Sequence, residues 1–137
     1  TKIKLKPIPH FNVVIAIIWR QNKFYIQKRK SDQMLGGLWE FPGGIVNQGQ
    51  DLKLVLKQKV FSECGVHLKI FQKVGFIDHA FSHFTIRLNG YFCFEKIHTL
   101  KENDNRRWIF KKNIKDYSFP KANHKFFKQL ELNRWYV

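Results

Sequence analysis

Apolar residues cluster along this chain with two different periods, and the two periods divide it into strands and helices. "FNVVIAIIW" (11–19) is an apolar, β-branched run that reads as a buried strand. "RQNK" follows as a turn, and "FYIQKR" (24–29) returns as the second arm of a hairpin. Residues 31–44, "SDQMLGGLWEFPGG", are punctuated by glycine and proline and read as a loop, with Trp39 and Phe41 packed into the core. In 51–65 the period changes. Leu52, Val55, Leu56 and Val60 form one stripe at helical spacing, Asp51 can cap the start, and Gly65 stands where a helix ends. Two long strands are expected over 67–78 and 84–95, joined through Phe81-Ser82-His83. A short strand is expected around Trp108, then a turn or short helix ending at Pro120, then a helix over "KANHKFFKQLEL". This order predicts an α+β fold, an α/β/α sandwich on a mixed sheet, in one domain over 10–137. Residues 1–9 alternate lysine with apolar residues and read as a basic arm.

Composition narrows the class. The 137 residues hold 44% apolar residues, with 14 Phe and 4 Trp, ample for a core. No run approaches the ~18 apolar residues of a membrane helix, and no apolar signal segment opens the chain. Lysine and arginine number 25 against 10 acidic residues, a net charge of +15. Such an excess points to a polyanionic partner. Two distant cysteines, Cys64 and Cys93, cannot form a four-cysteine zinc site or an iron–sulfur cluster and suit a reducing compartment. A monomer in the bacterial cytoplasm, close to the nucleoid, is the expectation.

From Gly44 to Val66 the spacing resembles the signature box of the Nudix family, G-x5-E-x7-R-E-U-x-E-E-x-G-U, where U is a bulky aliphatic residue. The residues mostly depart from it. Gln50 stands at the first acidic position, Gln58 at the arginine, and Lys59, Ser62 and Glu63 at the next three acidic positions, before Gly65. In the family those carboxylates hold a divalent metal against a diphosphate, and magnesium wants several hard oxygen ligands. The resemblance therefore implies a Nudix scaffold with a degenerate box helix and no metal. Lys59 and Glu63, four residues apart, are expected to pair with each other. Glu40 and Asp51 are acidic but match no box position.

"DHAFSHFTIRL" (78–88) places Ser82 and His83 between Phe81 and Phe84. A serine-hydrolase reading lacks a nucleophile elbow. The stretch resembles the Phe-Ser-His recognition loop in the C-terminal Nudix-like domain of MutY-type adenine DNA glycosylases. "LGGLWEFPGG" and "NRRWIF…FPKANHKF" resemble the same family. The resemblance implies recognition of 8-oxoguanine opposite adenine in duplex DNA. Ser82 would accept the N7–H that ordinary guanine lacks, with Phe81 packing against a base step and His83 and His79 as further lesion contacts. Lys2, Lys4, Lys6, Lys28, Arg29, Lys30, Arg106 and Arg107 would meet phosphates. The excising half, an N-terminal catalytic domain with an iron–sulfur cluster, is absent from these residues. The chain would then be a non-catalytic recognition piece with no cofactor of its own. The alternatives are a free-standing Nudix nucleotide hydrolase and a lesion-blind nucleic-acid-binding module.

Overall fold

The computed structural model describes residues 7–33 and 35–132, with the side chains described as far as Leu130. Lys2, Lys4 and Lys6 lie outside the described residues. The chain forms β1 (His10–Arg20), β2 (Lys23–Lys28), β3 (Trp39–Glu40), β4 (Gly43–Val46), α1 (Leu52–Cys64), β5 (Leu68–Ala80), β6 (Thr85–Glu95), β7 (Arg106–Phe110), a 3-10 turn (Lys111–Asp116) and α2 (Lys121–Leu132). The α+β sandwich expected from the sequence is the observed architecture. The loop expected over 31–44 carries two short strands, because backbone pairing with β2 and β1 recruits Trp39–Glu40 and Gly43–Val46 into the sheet.

β1 is the spine. It runs parallel to β6 from His10 to Trp19 and antiparallel to β4 from Asn12 to Ile15. Being covered on both faces, it reads as a continuous apolar run rather than an alternating one. Ile15, Ile17 and Trp19 face one core with Phe92, Phe126, Phe127 and Leu130. Val14, Ala16 and Ile18 face the other with Val55, Leu56 and Val60. α2 thus covers one face and α1 the other. The Asp51 carboxylate accepts from Leu54 N at 2.9 Å and starts α1. Gly65 ends it at φ 70°, a conformation that favours glycine.

One departure from a regular sheet creates the site. β1 and β2 pair only at Trp19–Phe24 and Arg20–Lys23, beside their turn. Beyond that they diverge: β4 takes the place beside β1, while β2 pairs with β3 and β7. The wedge between them opens as a cleft. Arg20 anchors the closed end, donating through Nε to buried Glu95 at 2.8 Å, and its guanidinium lies 4.2 Å from the centre of the Trp108 ring. Glu95 also accepts from the backbone N–H groups of Thr99 and Leu100, so its buried charge is satisfied. Both cysteines are free thiols, and burial is the main cause that pushes Cys64 up to about 11 and Cys93 up to about 12.

No helix among the described residues is long and apolar enough to cross a membrane. Gly90 sits under Phe126, whose ring atoms occupy the space a Cβ would need. Gly90→Ala must displace a fully buried ring. Denaturant unfolding of this variant is expected to show a loss of about 1–3 kcal/mol.

Candidate functional site

The cleft, ≈ 1580 Å³, is built from four regions of the fold. Its floor is the β1 row Phe11, Val13 and Ile15, extended by Ile86 and Leu88 of β6. One wall is aromatic. Phe81 stacks on Phe84 with ring centres 4.6 Å apart, and Phe84 meets Phe11 edge-on at 5.9 Å. The beginning of α2 adds Pro120, Ala122 and Asn123. Asn123 is only 8% exposed, and its side chain carries a polar amide to the cleft. The opposite rim is cationic and holds Lys28, Arg29, Lys30, Lys59 and Arg106.

At that rim a side-chain amide joins two carboxylates. Gln27 Nε2 donates to Glu40 Oε2 at 3.0 Å and to Glu63 Oε1 at 2.6 Å. Its Oε1 accepts from the Tyr25 hydroxyl at 3.2 Å and from Cys64 Sγ at 3.5 Å. Arg29 Nη1 donates to Glu40 Oε1 at 2.6 Å. Burial raises Glu40 above the ordinary carboxylate range, and the Glu63 charge adds to the rise. The Gln27 hydrogen bond and Arg29 oppose it. The sequence offered Glu40 no box position. The pairing of β3 with β2 nevertheless brings it to Glu63, the surviving box carboxylate.

Lys59 and Glu63 do not form the pair expected of them. Glu63 is directed to Gln27, while the Lys59 side chain crosses Gly44. A Cβ on Gly44 would lie 3.0, 3.2 and 3.5 Å from Lys59 Cδ, Cε and Nζ. Ser62 lines the cleft beside it, and Gln50 and Gln58 line a shallower depression on the outer side of the same helix. Among the described residues no three His, Cys, Asp or Glu side chains converge as a metal site. The two carboxylates that do converge have an N–H donor between them, and a guanidinium holds the far oxygen of one. Magnesium needs oxygen ligands. The residues present do not fit the multi-carboxylate metal cluster that the intact box implies.

The Phe-Ser-His segment is the turn between β5 and β6, closed by Phe81 N donating to Phe84 O at 2.8 Å. Phe81 reaches the cleft wall, whereas Ser82 and His83 are exposed and outside the lining. His79 packs edge-on against Phe81 at 4.7 Å. Its buried Nδ1 has no hydrogen-bond partner among the described residues. Arg107 also stands outside the lining; its Nη1 donates to the carbonyl of Arg106. Sequence reasoning passed over Asn123, a polar residue in a mostly polar helix start, and the only signal available was its place beside Ala122 and one turn before Phe126 and Phe127.

The family model "NUDIX domain" matches residues 13–129. The chain belongs to the Nudix family. A protein of Buchnera aphidicola subsp. Schizaphis graminum (strain Sg), named 8-oxo-dGTP diphosphatase, is 30% identical over 125 residues, 88% of this chain and 92% of that one. The MutT protein of Methanosarcina mazei Go1 superposes with a TM-score of 0.78 at 19% identity, covering 91% of this chain and 95% of its own. The DNA mismatch repair protein MutT, a Nudix hydrolase of methicillin-resistant Staphylococcus aureus 252, gives 0.69 at 25% identity, covering 91% and 98%.

These findings correct the functional expectation. The chain was expected to be the non-catalytic lesion-recognition piece of an adenine DNA glycosylase, with 8-oxoguanine:adenine duplex and an N-terminal catalytic domain as partners. That reading is overturned: the relative matched over nearly its whole length bears the name of a nucleotide diphosphatase, not of a glycosylase. The physical reason lies in where the signals converge. Phe81 and four of the basic residues assigned to a duplex line one concave cleft instead of an outer face.

His79 also gives the site a pH signature. Burial, then Lys125 and Lys121, hold it below the ordinary imidazole value of 6.5. A depressed value means that the unfolded chain takes up the proton first. The stability due to neutral His79 is therefore present above 6.5 and is lost as pH falls through its folded value. Thermal unfolding followed from about pH 7 to about pH 5 is expected to show a larger loss for the wild type than for His79→Phe.

Proposed function

We propose that the chain is a Nudix nucleotide diphosphatase whose substrate is a purine nucleoside triphosphate carrying an oxidised guanine. The observation that carries this reading is the division of one cleft into an aromatic wall with a side-chain amide and a rim of cations. A nucleotide has the same division, with a flat base at one end and a polyanion at the other. The Buchnera relative, named for 8-oxo-dGTP, supports the choice of base.

The chemistry of the base fits Asn123. Guanine presents two acceptors side by side, N7 and O6. Oxidation at C8 turns N7 into an N–H donor. A single amide then matches the edge, its oxygen accepting from N7–H and its NH2 donating to O6. Against ordinary guanine the amide oxygen faces a lone pair. Phe81, Phe84 and Phe11 supply apolar area for the ring. Arg106, Lys28 and Lys30 supply charge for the phosphates. Glu40, its affinity for a proton raised by burial, is the cleft group best matched to accept a proton from an attacking water.

Incubating the purified chain with 8-oxo-dGTP or dGTP over a magnesium titration tests this directly. The expected products are pyrophosphate and 8-oxo-dGMP, formed faster than dGMP is formed from dGTP. Failure to release either monophosphate at any magnesium concentration would sink the diphosphatase reading. Asn123→Ala is expected to lower kcat/KM for the oxidised nucleotide about tenfold or more while changing that for dGTP far less. Glu40→Gln is expected to lower kcat by about a hundredfold with KM nearly unchanged.

A further inference from the structure

We propose that Lys59 replaces the divalent ion at the phosphate end of the cleft, so that the chain grips a nucleotide's phosphate tail with its own ammonium and needs no metal to bind it. The inference rests on the cleft being a nucleotide site. It does not depend on which base the cleft prefers.

Three observations carry it. The box position held by Lys59 is one where a carboxylate would face the phosphates, and the side chain here has the opposite charge. That side chain is not spent internally. Among the described residues Lys59 makes no ion pair, since Glu63, its natural partner one turn on, is engaged by Gln27. Although exposed, it also lines the cleft, with its methylenes lying across Gly44 where a Cβ would crowd them. Arg106 stands on the same rim and acts electrostatically on Tyr25 and Cys64, the two groups bonded to Gln27.

The chemistry follows from charge balance. A triphosphate tail carries roughly four negative charges, and a carboxylate-lined site can receive it only with divalent ions between. An ammonium reverses that requirement. It meets a phosphate oxygen directly, as a compact donor of three hydrogen bonds. Glu63 and Glu40 would repel the tail, but Arg29 pairs with Glu40, and Lys28, Lys30, Lys59 and Arg106 outweigh the remaining carboxylate charge. The rim therefore presents a net positive face without an added ion.

Calorimetric titration of the whole chain with dGTP, 8-oxo-dGTP and inorganic triphosphate, each in EDTA and in magnesium, tests the proposal. Wild-type affinity in EDTA is expected to equal that in magnesium within about threefold. Lys59→Gln is expected to weaken binding of all three probes in EDTA by about tenfold. Lys59→Glu, which restores the box carboxylate, is expected to bind only when magnesium is present. Lys59 is exposed on a helix, so both variants should keep the wild-type circular dichroism and melting temperature. A wild type that binds nothing in EDTA, or a folded Lys59→Gln that binds as tightly as wild type there, overturns the proposal. If dGTP and 8-oxo-dGTP bind alike while both are weakened by Lys59→Gln, the base assignment fails and the tail assignment stands.

Discussion

A single side-chain amide, that of Gln27, holds the working end of this molecule together. Its nitrogen serves Glu40 of β3 and Glu63 of α1, and its oxygen takes hydrogen bonds from Tyr25 and Cys64. Three elements that meet at the cleft rim are thus fixed to one another through one buried group. Two carboxylates brought this close raise each other's proton affinity unless donors separate them. Gln27 and Arg29 are those donors, one in β2, the strand that splays away from β1, and the other just past its end. The geometry of the sheet and the electrostatics of the cleft are therefore one constraint.

The same splaying explains where the net charge of +15 becomes useful. A regular hairpin would have placed Lys28 and Lys30 on a flat edge. Because β2 leaves β1 after two residue pairs, its basic end turns to face the box helix across a gap. Aromatic residues close the gap from the other side. Of the described basic residues that read as a footprint for duplex DNA, Lys28, Arg29, Lys30 and Arg106 line a pocket, and Arg107 does not. The Phe-Ser-His turn resembles a lesion-reading loop, yet what it contributes to the pocket is Phe81.

Much of the fold was legible because local chemistry and tertiary packing agree. Asp51, the Leu52–Val60 stripe and Gly65 mark α1 to within a residue, and the apolar run of β1 announces a strand buried on both faces. β3 and β4 were not legible, since Gly-Pro-rich sequence codes for turns and only pairing with β2 and β1 makes these residues strands. The site was legible in part. Spacing located the box helix and the lost carboxylates. It could not show that Glu63 would leave Lys59 for Gln27, a choice made by contacts from β2. Asn123 was invisible because its place in the cleft lining is a property of the folded chain alone.

The two thiols have a consequence of a different kind. Reaction with peroxides requires the thiolate, and at neutral pH a thiol held near 11 is ionised in only about one molecule in ten thousand. Cys93 of β6, buried in the core against which Cys64 packs, is held higher still. A protein we assign to oxidatively damaged nucleotides thereby carries two cysteines that react slowly with the peroxides among the oxidants producing that damage.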